Sequence, residues 1–226
     1  MAQDEPPPLS AAIESCTTSP LPAQRVVSFL GSMPAIASAE RMQLRFDLER
    51  RRRGDQWRRL RGVPGFGAWE RSEPDRAGFV FHKRVDGLEV PASYRAVVRF
   101  RWVSAGGDVV KRARRRTGAC AQPDLRPNLV PGVLTGVLDA RPGLAVYKLV
   151  VRNSGRTAAG PFSVRVGSGT AEVRGLPAQG ERTVVVVAPI CLAGTTTLAL
   201  VDADRRVDES HERGNGAPRR CPLWGG

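Results

Sequence analysis

The sequence predicts an all-β protein built as two tandem β-sandwiches. Three observations carry that prediction. Polar and apolar residues alternate with a period of two in several short runs, turn residues separate those runs, and 24 Gly and 18 Pro are spread through the 226 residues. Period-two alternation puts the apolar side chains of a run on one face of a strand. Frequent Gly and Pro break the chain too often for long helices. The length suits one or two domains, each with a modest core, and a hydrophobic fraction of 41% excludes disorder along the whole chain.

Residues 1–24, rich in Pro, Ser and Ala without periodicity, are expected to be a flexible lead-in. Residues 25–120 form the first sandwich. Within it, Met42, Leu44, Phe46 and Leu48 alternate with Gln43, Arg45 and Asp47, which describes a half-buried strand. The stretch from Gly54 to Gly67 is turn-rich, with Trp57 and Phe66 as core candidates. Gly78, Phe79, Val80 and Phe81 open a strand that ends near Val85. Tyr94, Ala96, Val98, Phe100 and Trp102 share one face of the strongest strand in this half. A turn at Ala105 to Asp108 then leads into a return strand opened by Val109 and Val110. Residues 121–131 hold Pro123, Pro127 and Pro131 and are expected to be a semi-rigid linker or an edge-strand entry. Residues 132–221 form the second sandwich, with strands over 144–151, 162–166, 182–187 and 195–201 and turns near Asn153, Gly167 and Gln179. Residues 222–226 are a tail.

Cys16, Cys120, Cys191 and Cys221 show no CxxC spacing and no metal-ligand pattern with His. An even count in a loop-rich chain fits two disulfides formed in an oxidising compartment. The pairing Cys16–Cys120 and Cys191–Cys221 keeps each bridge within one predicted domain. Met1 to Pro8 carries acids and prolines where a secretory leader has basic and apolar residues. The uncharged run from Thr183 to Val201 approaches membrane-span length, but Pro189 and Gly194 divide it into two strands and a loop, so no membrane span is expected.

In order along the second half stand Val151, Asn153 and Gly155; Pro161, Phe162 and Val164; Gly175, Leu176, Pro177 and Gly180; then Val201, Asp202, Asp204, Val207, Asp208 and Glu209. Over about residues 125–221 this series resembles the CARDB family, the cell-adhesion-related domain found in bacteria. The resemblance implies an immunoglobulin-like sandwich in an exported or surface protein, with a partner-binding or spacing role and no catalytic residues. Glu209 and Glu212 match the family's last motif, whereas His211 and Gly214 stand where Asn is usual, leaving Asn215 alone. Over about residues 25–120, Leu88 six residues before Tyr94 resembles the tyrosine-corner arrangement of fibronectin type III sandwiches. The two resemblances together imply two tandem immunoglobulin-like or fibronectin III-like β-sandwich domains.

No enzyme and no cofactor are expected. Asp202, Asp204, Asp208, Glu209 and Glu212 lack the spacing of a calcium loop and are interrupted by Arg205 and Arg206, so they read as a solvated turn. Glu209 and Glu212 face no second catalytic constellation, and His82 and His211 belong to no hydrolase or metalloprotease motif.

The net charge is +13, of which +9 lies in residues 1–120, and nearly all of the cations are Arg. A GC-rich genome yields that bias without selection for binding. Function enters through two clusters. Arg50, Arg51, Arg52, Arg53, Arg58, Arg59 and Arg61 surround Trp57, and Arg112, Arg114, Arg115 and Arg116 follow the return strand. Brought onto one face, they make an arginine-rich groove for phosphates or acidic sugars. The expected protein is therefore a non-enzymatic, extracellular or cell-surface bacterial binding or adhesion module. Its partner is a protein or an anionic glycan or wall polymer. An intracellular nucleic-acid-binding protein, or accessory domains of a larger carbohydrate-active assembly, are the alternatives.

Overall fold

A computed structural model describes residues 6–224. The chain divides into two compact units, Met1–Pro123 and Asp124–Gly226, and both are antiparallel β-sandwiches of immunoglobulin-like strand order.

The first unit contains β1 (Ser10–Thr17), β2 (Val26–Pro34), β3 (Arg41–Arg51), β4 (Arg58–Arg59), β5 (Trp69–Arg71), β6 (Gly78–Val85), β7 (Ala92–Val103), β8 (Val109–Arg116) and β9 (Cys120–Gln122). One sheet has the order β1-β2-β6. The other has the order β4-β3-β7-β8, with β5 also on β3 and β9 also on β7. Between the sheets lie Phe29, Leu44, Phe46, Val98, Phe100 and Trp102, each at most 1% exposed. The apolar positions of β3 and β7 meet in register, Leu44 opposite Phe100 and Phe46 opposite Val98, so alternation in sequence becomes one continuous inner face. A Cβ at Gly31 would stand 2.9 Å from the Phe46 ring, which is how β2 comes close enough to cover that face. Polar tips inside the core are satisfied. Trp102 Nε1 donates to the Pro34 carbonyl at 2.8 Å. Tyr94 Oη donates to the Glu89 carbonyl at 3.0 Å beside the buried Leu88.

The expectation of a flexible lead-in over 1–24 is corrected. Residues 1–5 lie outside the described residues, but β1 pairs with β2 from Ser10↔Ser32 to Thr17↔Val26. Leu9, Ala11 and Ile13 pack against the core, and Cys16 is bonded to Cys120. The alternation of β1 is short and interrupted by a bulge between Ile13 and Ser15. Partners far along the chain hold this strand in place.

The second unit contains β10 (Leu129–Leu138), β11 (Leu144–Asn153), β12 (Phe162–Val166), β13 (Gly169–Val173), β14 (Glu181–Pro189), β15 (Thr196–Val201) and β16 (Gly216–Arg220). Sheet β10-β11-β14 faces sheet β13-β12-β15-β16 across Leu129, Tyr147, Leu149, Phe162, Val164 and Val201. Asn153 is fully buried and organises one end. Its Nδ2 donates to the carbonyls of Thr157, Leu176 and Pro177, and its Oδ1 accepts from the backbone of Asn128 and Gly155. A Cβ at Gly155 would lie 2.4 Å from the Pro127 backbone, so only glycine fits there.

Two further boundaries differ from the sequence reading. The 121–131 segment is not all linker. Its first residues belong to β9, which pairs with β7, and from Leu129 onward it is β10, with Pro131 opposite Val151. Proline is accommodated because β10 ends its sheet and needs fewer ladder donors. The 222–226 tail is likewise not free up to residue 224. The Trp224 ring meets Tyr147 edge-on at 5.6 Å and its Nε1 donates to the Cys191 carbonyl at 2.8 Å.

The disulfides are Cys16–Cys120 and Cys191–Cys221. Among the described residues, no helix is long and apolar enough to cross a membrane.

Candidate functional site

The same alternation that fills the core of the first unit decides what its larger sheet shows to solvent. In β3 the outward positions are Gln43, Arg45, Asp47, Glu49 and Arg51. In β7 they include Arg95, Val97, Arg99 and Arg101, and in β8 they are Arg112, Arg114 and Arg116. The register aligns them in rows. Arg45, Arg99 and Arg114 stand side by side, and Gln43, Arg101 and Arg112 form the next row. The short β4 and β5 extend the face with Arg59 opposite Glu49 and Trp69 opposite Arg45.

Two acids hold part of this array in place. Asp47, only 3% exposed, receives Arg45 Nε at 3.0 Å, Arg59 Nη2 at 2.7 Å and Arg99 Nε at 2.9 Å. Glu49 receives Arg95 Nε at 2.8 Å. Two tryptophans orient others. The Arg51 and Arg95 guanidiniums lie 4.8 and 4.1 Å from the Trp57 ring centroid, and that of Arg101 lies 3.8 Å from the Trp69 centroid. Such stacking fixes the plane of a guanidinium while leaving its edge N–H groups free to donate. Among the described residues, Arg51, Arg71, Arg101, Arg112, Arg114 and Arg116 have no carboxylate within ion-pairing distance. Burial pushes the Arg101 pKa down, and the positive charges of Arg112 and Arg45 add to that, the mark of cations crowded without counter-charge. A cavity of about 460 Å³ opens among Trp69, Arg99, Arg101, Arg112 and Arg114. The arrangement offers forked N–H donors in several planes to an anionic ligand.

The two arginine runs do not come together as one groove. β7 lies between β3 and β8, and alternation splits each run between faces. Arg50 sits opposite Tyr94 on the inward side. It pairs there with Glu89 at 2.6 Å, and Arg52 pairs with the same carboxylate at 2.7 Å. These two arginines hold the Glu89 acid below its usual range. Arg53 lines a separate surface cavity of about 660 Å³ with Asp55, Pro91 and Gln122. Arg58 stands exposed opposite Arg50. Arg115 is in register with the inward Val98 and donates to the Arg114 carbonyl. Of the expected residues, Arg51, Trp57, Arg59, Arg112, Arg114 and Arg116 belong to the arginine face. Arg71, opposite the outward Gln43, together with Arg45, Arg95, Arg99, Arg101 and Trp69 completes it, and these lie outside the residues expected from sequence because density of charge along the chain points to runs. The signal was the period of two in the strand of Tyr94 and Trp102, where Arg95, Arg99 and Arg101 occupy polar positions.

The acids of the second unit are structural partners. Asp202, with φ of 51°, caps the backbone N–H groups of Arg206 and Val207, and Asp208 pairs with Arg126 at 2.7 Å. Glu209 accepts from Leu129 N and from Asn215 Nδ2, and Glu212 accepts from Glu209 N. Among the described residues no group of three or more His, Cys, Asp or Glu is placed to hold a metal ion. His82 stands 3.1 Å from Glu14 on the surface.

No protein-family model matches the chain, and no curated protein matches it. Among solved structures, the chain is similar to a chaperone–tip adhesion subunit pre-assembly complex (CsuC–CsuE) from archaic chaperone-usher Csu pili of Acinetobacter baumannii. That match has 10% identity and a TM-score of 0.29, and covers 79% of this chain and 86% of that one. A protein of unknown function from Porphyromonas gingivalis W83 is similar at 10% identity and a TM-score of 0.28, over 94% and 96% of the two chains.

Proposed function

We propose that the protein is an exported, non-enzymatic binding module that engages a polyanionic partner through the outer face of the β3-β7-β8 sheet. The observation that carries this reading is the array of outward arginines, six of them without a carboxylate partner among the described residues, two of those stacked on tryptophan. A field of that sign concentrates anionic polymers at the surface. Two disulfides support an oxidising compartment, and hence the cell surface or its surroundings as the place of action. The CARDB resemblance of the second unit fits a spacing or adhesive role beside the binding face. Trp57 and Trp69 already carry guanidiniums on their rings, which leaves poor stacking platforms for bases and favours a glycan or wall polymer over nucleic acid.

The test is chromatography of the disulfide-intact chain on immobilised heparin. Retention at about 50 mM salt, with a steep salt dependence, is expected. Arg101→Gln/Arg112→Gln/Arg114→Gln should elute at clearly lower salt, whereas Arg165→Gln/Arg205→Gln/Arg213→Gln, which removes the same charge from the second unit, should elute nearly as the native chain does. Flow-through of the native protein, or equal shifts for the two variants, would refute the assignment to this face.

A further inference from the structure

We infer that the arginine face recognises sulfate esters, and that its ligand is a sulfated polysaccharide lying along β8. The inference rests on the polyanion reading above and narrows it to one chemical class. Arg99 and Arg114 are register partners, as are Arg101 and Arg112, so four guanidiniums rise from a block about 5 Å across the strands and about 7 Å along them. The cavity of about 460 Å³ lies among them, a size in the range of small-ligand sites. Of the four, Arg99 alone touches a carboxylate, and Arg101 is held against Trp69 with its donating edge free.

The shape of the anion follows from counting acceptors. A uronate carboxylate presents two oxygens whose lone pairs lie in one plane. A phosphodiester also presents two free oxygens. A sulfate monoester presents three, pointing apart, and can accept from guanidiniums on β7 and β8 together. Forks rising from two neighbouring strands lie in different planes, which three oxygens pointing apart can meet together and two oxygens in one plane cannot. The polymer direction follows from β8. Arg112, Arg114 and Arg116 alternate along it, giving a cation about every 7 Å, and β8 ends the main path of the sheet, so an extended chain reaches all three from the side.

The experiment is a titration of the full disulfide-intact chain, followed by tryptophan fluorescence. The probes are sulfated dextran, polygalacturonate and oligothymidylate of matched length and charge. Sulfated dextran should bind about tenfold more tightly than either of the others, the value of one further charge-assisted hydrogen bond. Arg101→Lys/Arg112→Lys keeps the charge and removes the forks. It should abolish the preference while the protein still binds heparin, a result that separates forked recognition from simple attraction, and an unfolding transition in urea matching that of the native chain shows that the variant is folded. Equal affinity for polygalacturonate overturns the sulfate inference and leaves the polyanion reading standing. Tighter binding of oligothymidylate overturns it in favour of a nucleic acid. Absence of binding to all three overturns both.

Discussion

Replacing Glu209 with Gln perturbs the buried carboxylate that ties β10 to the loop before β16. Glu209 is 1% exposed. It accepts from Leu129 N and, at 2.7 Å, from Asn215 Nδ2. Burial raises its pKa from 4.5 to about 7, with the negative charges of Asp202 and Glu212 adding to the rise. A raised folded-state pKa means that the fold holds the proton more tightly than the unfolded chain does. The favourable contribution is full below about pH 4.5 and is lost as pH climbs through about 7. At about 1.4 kcal/mol per pKa unit, ionised Glu209 costs the second unit about 3 kcal/mol at most at pH 8. Screening by nearby solvent brings this to about 2 kcal/mol. The introduced amide cannot ionise. Its carbonyl can accept from Leu129 N, and its NH2 group can donate to Asn215 Oδ1, a buried acceptor with no partner among the described residues, once the Asn215 amide rotates. In scanning calorimetry, with Trp224 fluorescence to identify the transition, Glu209→Gln should melt about 8 °C or more above the native second unit at pH 8, and close to it at pH 5. A native transition that does not move between pH 5 and 8, or a variant less stable at pH 8, would refute the reasoning.

Two further substitutions test the first unit. Tyr94→Phe removes the hydrogen bond to the Glu89 carbonyl and should lower stability by about 1 kcal/mol in urea unfolding, with heparin retention unchanged. Asp47→Asn leaves Arg45, Arg59 and Arg99 around a neutral group; it should cost about 2 kcal/mol of stability and raise heparin affinity, read as later elution.

Much of the fold was legible because its strands obey local rules. The alternation through Met42 and Leu48 and that through Tyr94 and Trp102 each mark a strand unaided, and the cysteines sorted into their pairs by position along the chain. What escaped was non-local. β1 has too short a pattern to be read as a strand and exists through β2 and Cys120. β16 is held at five positions by β15, although its sequence, Gly-Ala-Pro-Arg-Arg, carries no strand signal. The arginine face escaped for a related reason. Each of its strands shows alternating arginines, but only register decides that Arg45, Arg99 and Arg114 become neighbours, and register is set by the core on the other side of the sheet.

The bond between Cys16 and Cys120 also decides how the first unit bears a load. If the chain is pulled between residues 6 and 123, tension crosses from Cys16 to Cys120 through sulfur and bypasses every strand between them. The slack is then about 15 residues, roughly 50 Å, rather than roughly 400 Å for the whole segment. Cys191–Cys221 shortcuts only the end of its own unit, leaving residues 124–191, roughly 230 Å of contour, to unravel. Under traction the arginine face would keep its shape while the second unit lengthened, so the shock would be absorbed away from that face.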